Sequence, residues 1–390
     1  MEYIEYFPYI CVVNTNFVYD SPVTGSRFIG RRHDVDILRN LLSGGNSTVV
    51  YGEPGCGCMS LVQQTLAQMK MQTPEMIVAE IDFSRCRTTE DLLVSFSDGL
   101  LKACGSSPSE YREFVQSGLA GAHFVFDQDQ FDAHGLTVSM NWMPDDVDIM
   151  KTFDFPAFLA EQKQAKLVIL VRQFQNVLFS PDNDVILDAM EKVIERQGND
   201  YVFIFTGSRF NRLREIFDVR RCFWHIVERI IPSDVNPDLI ADFVYHNFQL
   251  TGKVLEKDLV VSTAGMLRCN MRYVNHLFSI VDSMAKGYVN KGTISDAMRI
   301  MLSVYTPHFF NAVCSLTDFQ LSLLKAIVHG ETRFSTAGVI DRYCLNSSAN
   351  VKRVKDALVK KELVWFDEQD VPHIQDPLFE YWLRQEYFAL

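Results

Sequence analysis

Residues 47–60 read Ser-Thr-Val-Val-Tyr-Gly-Glu-Pro-Gly-Cys-Gly-Cys-Met-Ser, and Leu61, Leu66 and Met69 then follow at helical spacing. A β-branched run enters a glycine-rich turn, and the turn opens a helix. That is the local build of a phosphate-binding loop, because the turn aims backbone N–H groups at an anion resting on a helix N-terminus. It commits the region to an α/β layout. Continuous apolar runs recur at 76–83, 167–171 and 201–206, separated by helical stretches. They predict a mainly parallel sheet covered on both faces.

The chain has 390 residues, 47% of them apolar and 22% charged. At roughly 100–200 residues per domain this predicts two or three domains. The balance excludes a low-complexity or collagen-like chain. No apolar run approaches the roughly 18 residues needed to cross a bilayer. The opening MEYIEYFPYI carries two Glu and no basic stretch, unlike a secretory signal. A cytoplasmic protein with no membrane partner is expected. The net charge of −12 argues against nucleic acid held by the whole surface, but leaves room for a local basic patch. Nine scattered cysteines contain no C-x2-C pair, so no metal site is expected. They read as reduced thiols, mostly in the core.

Four stretches follow from the pattern. Residues 1–27 form an aromatic arm with Tyr3, Tyr6, Phe7, Tyr9, Phe17 and Tyr19. These rings are expected to pack on the core, and would anchor an assembly if exposed. Residues 28–231 form the phosphate-loop core, whose first helix carries Val35, Leu38, Leu41 and Leu42 on one face. Within it, 123–142 alternates about Gly135 and predicts a β-hairpin insertion. Residues 232–312 read as helical throughout. Residues 313–390 read as three helices, at Asp318 to Val328, 335–344 and 348–361, then two short strands at 363–366 and 371–374. Three helices and a hairpin make a winged helix.

The loop itself lacks its working side chains. Hydrolysis needs G-x-x-x-x-G-K-[ST], with the Lys on the β/γ-phosphates and the hydroxyl on Mg²⁺. Gly52 and Gly57 have the right spacing, but the next two positions hold Cys58 and Met59. Ser60 comes one residue late, which turns it about 100° around the helix. A second half-site should end a buried strand with Asp-Glu, for metal and for water activation. The run 167–171 ends instead in Arg172-Gln173. Arg cannot hold Mg²⁺, and Gln cannot act as a base. Cys56 and Cys58 read as small fillers of the turn. The alternatives for that C-x-C pair are a redox couple or a soft-metal site. Cys58, at the helix N-terminus, is the thiol expected to have a lowered pKa.

Several segments together resemble the archaeal-type ATPases of the STAND branch of AAA+ P-loop proteins. Residues 21–25 with Phe28-Ile29-Gly30-Arg31 resemble the family's opening motif, which packs near the adenine. Residues 52–60 resemble its phosphate loop, and Val171-Arg172-Gln173-Phe174-Gln175 resembles its strand ending in Asp-Glu-Phe-Gln. Phe205-Thr206-Gly207-Ser208 resembles the sensor-1 strand. Residues 269–275 resemble the start of the lid helix, with Met271 in place of the usual Pro. Asp376-Pro377-Leu378-Phe379 with Trp382-Leu383-Arg384 resembles the close of the winged-helix domain. The resemblance implies an α/β P-loop core, a helical lid and a C-terminal winged helix. It implies ATP or ADP as ligand, bound without Mg²⁺ in a member that has lost its catalytic residues.

On that basis the nucleotide would meet Gly30, Arg31, Gly52, Glu53, Pro54, Gly55, Cys56, Gly57, Cys58, Met59, Ser60, Arg172, Ser208 and Arg272. Arg172 invites the sharpest expectation: its guanidinium could replace both the lost Lys and the lost metal. The competing reading gives it a structural salt bridge. Arg272 is expected either at the γ-phosphate or in an interhelical salt bridge, and Ser208 at backbone near its strand end. Ser348, Lys352, Arg353 and Lys355 form a basic face that could meet DNA or a protein partner. The leading expectation is a pseudo-ATPase that regulates or scaffolds a protein partner or its own assembly. The alternatives are a DNA-binding regulator and a slow ATPase with unorthodox residues.

Overall fold

A computed structural model describes residues 17–389. The arm residues Tyr3, Tyr6, Phe7 and Tyr9 lie outside the described residues. Seven strands run through the first part of the chain: β1 (Ser47–Val50), β2 (Ile77–Asp82), β3 (Phe124–Val125), β4 (Ser139–Met140), β5 (Leu167–Arg172), β6 (Tyr201–Thr206) and β7 (Val227–Ile230). Five make one parallel sheet in the order β2-β5-β6-β1-β7.

The uninterrupted apolar runs of β5 and β6 are explained by burial on both faces. Val168, Leu170, Val202 and Ile204 face the helices Arg32–Ser43 and Cys58–Gln72. Ile169, Val171, Phe203 and Phe205 face the other way, toward Thr89–Cys104, Asp146–Lys163 and Asn183–Arg196. Phe174, Phe205, Phe217 and Phe223 stack into this second layer, with Phe174 and Phe205 centroids 4.4 Å apart. Strand β7 escapes the sequence pattern. It is a short edge strand reading Val-Glu-Arg-Ile, with Glu228 exposed.

The hairpin expected at 123–142 is corrected. Strands β3 and β4 pair over two residues only, Phe124 with Met140 and Val125 with Ser139. The helix Gln128–His134 lies between them, started by the Asp127 carboxylate and stopped by Gly135 at φ 66°. The Asp127 cap and the glycine C-cap outweighed the apparent alternation.

Helices Pro237–Leu250, Lys257–Met266, Met271–Met284 and Lys291–Cys314 follow. Their apolar core is continuous with that of the last segment, where Phe309 packs on Phe379 and Trp382. The expected three helices appear as Asp318–Val328, Ala337–Arg342 and Ser348–Lys360, the middle one shorter than its pattern. Thr317 and Gln320 close a capping box on the first, and the Ser347 hydroxyl caps the third. Strands β8 (Val364–Phe366) and β9 (Pro372–Ile374) pair antiparallel as the wing. Phe17 is buried among Phe243, Phe248 and Phe278, so this part of the arm packs on the helical segment. Among the described residues no helix is long and apolar enough to cross a membrane.

Candidate functional site

Strand β1 ends at Val50, and the loop turns sharply before the helix Cys58–Gln72. Gly55 at φ 77° and Gly57 at φ 94° make that turn, in a region open to glycine and costly for other residues. Close neighbours also demand their lack of a side chain. A Cβ on Gly57 would lie 2.8 Å from Arg31 Nη1, and one on Gly55 2.9 Å from Asn270 Oδ1. Gly57 has no side chain to cap the helix, and the backbone N–H of Cys58 meets the Cys56 sulfur at its start.

Above the loop is a cavity of about 380 Å³. Its walls are residues 18–23, the loop 52–60, Gly207 and Ser208 at the end of β6, and Met271, Arg272 and Asn275 on the helix Met271–Met284. Arg272 is the one cation among the described lining residues. The walls are fastened to one another. Val23 N–H donates to Ser60 Oγ at 3.1 Å, and Gly25 N–H to Gln64 Oε1 at 2.7 Å. Asn275 Nδ2 donates to Val18 O at 2.8 Å, and Asn270 Nδ2 to Pro54 O at 2.9 Å.

A family model described as a probable winged helix domain matches residues 307–385. The fold is similar to a Walker-type ATPase of Pyrococcus abyssi, at TM-score 0.67 and 13% identity, over 95% of this chain and 99% of that one. It is also similar to the ORC2 protein of Aeropyrum pernix in ADPNP–ADP complexes, at TM-score 0.57 and 14% identity, over 92% of this chain and 93% of that one. The chain shares its fold with these two proteins. No curated protein sequence matches the chain. At these identities the likeness speaks for the fold alone.

Of the expected contacts, Gly52 to Ser60, Ser208 and Arg272 do line this cavity. Gly30 and Arg31 do not. Gly30 lines a separate cavity with Phe28 and Arg32. The Arg31 guanidinium instead holds the loop by its backbone, donating to Cys56 O and, at 2.6 Å, to Ser233 O. Arg172 is not a wall residue either. It ends β5 opposite Asp82 of β2, and β6 stands between β5 and β1. Among the described residues it forms no ion pair, so the expected structural salt bridge is absent too. Its neighbour Gln173 does reach toward the site: its Oε1 accepts from Ser208 N–H at 3.1 Å and Ser208 Oγ at 2.8 Å. Ser208 thus bonds a side chain, not the backbone expected. Arg272 likewise enters no ion pair among the described residues.

Two sulfurs meet in the loop. Cys56 Sγ and Cys58 Sγ are 3.3 Å apart. Their contact holds the Cys56 thiol below its usual value, helped by the Arg31 guanidinium, and pushes Cys58 well up. The lowered thiol is therefore Cys56, not Cys58 as its helix position suggested. Met59 accepts a bond from Thr206 Oγ1 at Sδ, 3.5 Å away.

Glu53 turns away from any phosphate role. Its Oε1 accepts from Trp365 Nε1 at 2.9 Å, and Oε2 lies 3.7 Å from Arg268 Nη1. No local pattern announces this contact, because Trp365 belongs to the wing, 312 residues away. Asn270 was legible only as part of the lid motif. On the winged helix, Ser348, Lys352 and Arg353 are exposed. Lys355 is not free for a partner: its ammonium pairs with Asp370 at 2.6 Å and sits 4.1 Å over the Phe366 ring.

Proposed function

We propose that this chain is a catalytically silent AAA+-type protein that holds ATP or ADP without Mg²⁺ and regulates or scaffolds a partner protein or its own assembly. One observation carries the reading. The cavity keeps its glycine cradle and its three walls, while Cys58, Met59, Arg172 and Gln173 stand where hydrolysis needs Lys, Ser/Thr, Asp and Glu. Gln173 is moreover spent on Ser208.

Residues 18–23 and Met271 would flank the base. The N–H groups at the start of Cys58–Gln72 and the Arg272 guanidinium would meet the phosphates. With no Lys and no metal ligand, fewer charges oppose the triphosphate, and no group is placed to activate water. The Aeropyrum pernix ORC2 protein, described with ADPNP and ADP, supports an adenine nucleotide as the ligand. The working units in this reading are a core at 28–231, a lid at 232–312 and a winged helix at 313–390. Trp142 at the close of the insertion, and Met143 and Met150 just after it, are 71%, 74% and 60% exposed, which supports a protein partner.

Calorimetric titration of ATP and ADP, with Mg²⁺ and then with a chelator, tests the reading. Equal affinity in both conditions and no phosphate release support it. Mg²⁺-dependent turnover that disappears in Gly57→Val overturns it in favour of a slow ATPase. The exposed Lys352 and Arg353 support a second reading, contact with duplex DNA. Retention that falls steeply with salt and is lost in the Lys352→Glu, Arg353→Glu variant would establish that.

A further inference from the structure

Cys56 and Cys58 flank Gly57, whose left-handed backbone turns the chain so that both thiols emerge on one side. Their sulfurs are 3.3 Å apart, and both residues lie on the cavity wall. Among the described cysteines no other pair of sulfurs is in contact. Cys86 donates to Asp91 O and Ser95 Oγ, and Cys104 is buried. The Cys56 carbonyl is held by the Arg31 guanidinium, which places a fixed positive charge beside the pair. A thiolate is favoured by such a charge and by the adjoining helix N-terminus. The cavity gives a small oxidant access from solvent. Spacing alone could not separate fillers of the turn from a working dithiol. The shared contact, the guanidinium and the open wall do.

We propose that Cys56 and Cys58 form a reversible oxidation site, which hydrogen peroxide converts to a disulfide within the phosphate loop. The Cys56 thiolate attacks one peroxide oxygen, and the O–O bond breaks. The other oxygen leaves as hydroxide and takes up a proton to become water. Cys56 becomes a sulfenic acid, having given two electrons to the peroxide. The Cys58 sulfur then attacks the Cys56 sulfur, forming the S–S bond and breaking S–O. The departing oxygen leaves as a second water, carrying the sulfenic proton and the Cys58 proton. Two thiols and one peroxide thus give one disulfide and two waters. The sulfurs close from 3.3 Å to the bonded distance of about 2.0 Å. The product is a small covalent ring spanning Gly57, in the turn that must otherwise adapt to an anion. An added dithiol reverses it by exchange. The oxidation does not depend on nucleotide binding.

The test uses the full chain, reduced, desalted and treated with stoichiometric hydrogen peroxide. Remaining thiols are alkylated, and the protein is digested without reductant for mass spectrometry. The expected result is loss of both alkylation sites on the peptide carrying residues 56–58, with the mass of two hydrogen atoms lost. Dithiothreitol should restore both. Cys58→Ser should stop at a Cys56 sulfenic acid, trapped by dimedone. Cys56→Ser should leave Cys58 alkylatable. The wild-type arm decides the matter even if a variant misfolds. The proposal is overturned if Cys56 and Cys58 stay alkylatable once the exposed Cys314 and Cys344 have oxidised, or if either bonds to a different cysteine.

Discussion

Trp365 Nε1 donates to Glu53 Oε1 at 2.9 Å, joining the wing to the phosphate loop across 312 residues of chain. Around it, Arg268 donates to Ile374 O at 2.6 Å and approaches Glu53. Asn211 Nδ2 donates to Val359 O and Val364 O, both at 2.8 Å. The wing is therefore clasped to the core, with its indole touching the loop. Trp365→Phe keeps the aromatic packing on His373 and Phe210 but removes the donor. Bonds to charged groups contribute about 1.5–3 kcal/mol, and the Glu53 side chain is 28% exposed, so the lower end is expected. Urea unfolding of Trp365→Phe, Glu53→Ala and the double variant checks it. A coupling of about 1.5 kcal/mol is expected, and simple additivity would remove the bond from the account.

His276 predicts an acid limit to stability. It is buried, stacked on Tyr19 at 4.1 Å, and shares a contact with Tyr305 Oη at 3.2 Å. Burial, with the Arg272 charge, lowers its pKa from 6.5 to about 4. The folded state thus favours the neutral ring. Its contribution is present above pH 6.5 and is lost as pH falls toward 4, by roughly 3 kcal/mol. Thermal melts across this window should fall more steeply for the wild type than for His276→Gln.

Glu362 works in the opposite direction. Its carboxylate accepts from Asn211 N–H at 2.9 Å, Arg212 N–H at 3.0 Å and Gln375 Nε2 at 3.1 Å. Burial nonetheless outweighs these bonds and raises its pKa above 4.5. The folded state then binds the proton more tightly than the unfolded one. This group's share of stability is greatest below pH 4.5 and declines as pH rises through the raised value. Glu362→Gln should remove that downward slope in pH-dependent unfolding.

Gly57→Val should damage the loop twice over. The position has φ 94°, and the new Cβ would press within 2.8 Å of Arg31 Nη1. Strain of about 1–3 kcal/mol is expected from the backbone alone. The variant should melt earlier and show at least a tenfold weaker nucleotide isotherm, since about 1.4 kcal/mol corresponds to tenfold. Undiminished affinity would place the ligand away from this loop.

The layered α/β fold, the glycine-rich loop and the winged helix were legible along the chain. Each is written locally: in the unbroken apolar runs of β5 and β6, in the spacing of Gly52 and Gly57, and in the Thr317 and Ser347 caps. The substitutions at Cys58, Met59, Arg172 and Gln173 could be read with equal directness. What those residues touch follows from packing between segments far apart in the chain. That packing took Gly30, Arg31 and Arg172 off the cavity wall, because side-chain direction depends on strand order and on φ, not on distance along the chain. It gave Glu53 to Trp365 and Asn270 to Pro54, contacts between segments far apart in sequence. It also brought two thiols together, since a left-handed glycine reverses the chain where a strand would have pointed Cys56 and Cys58 alike without contact.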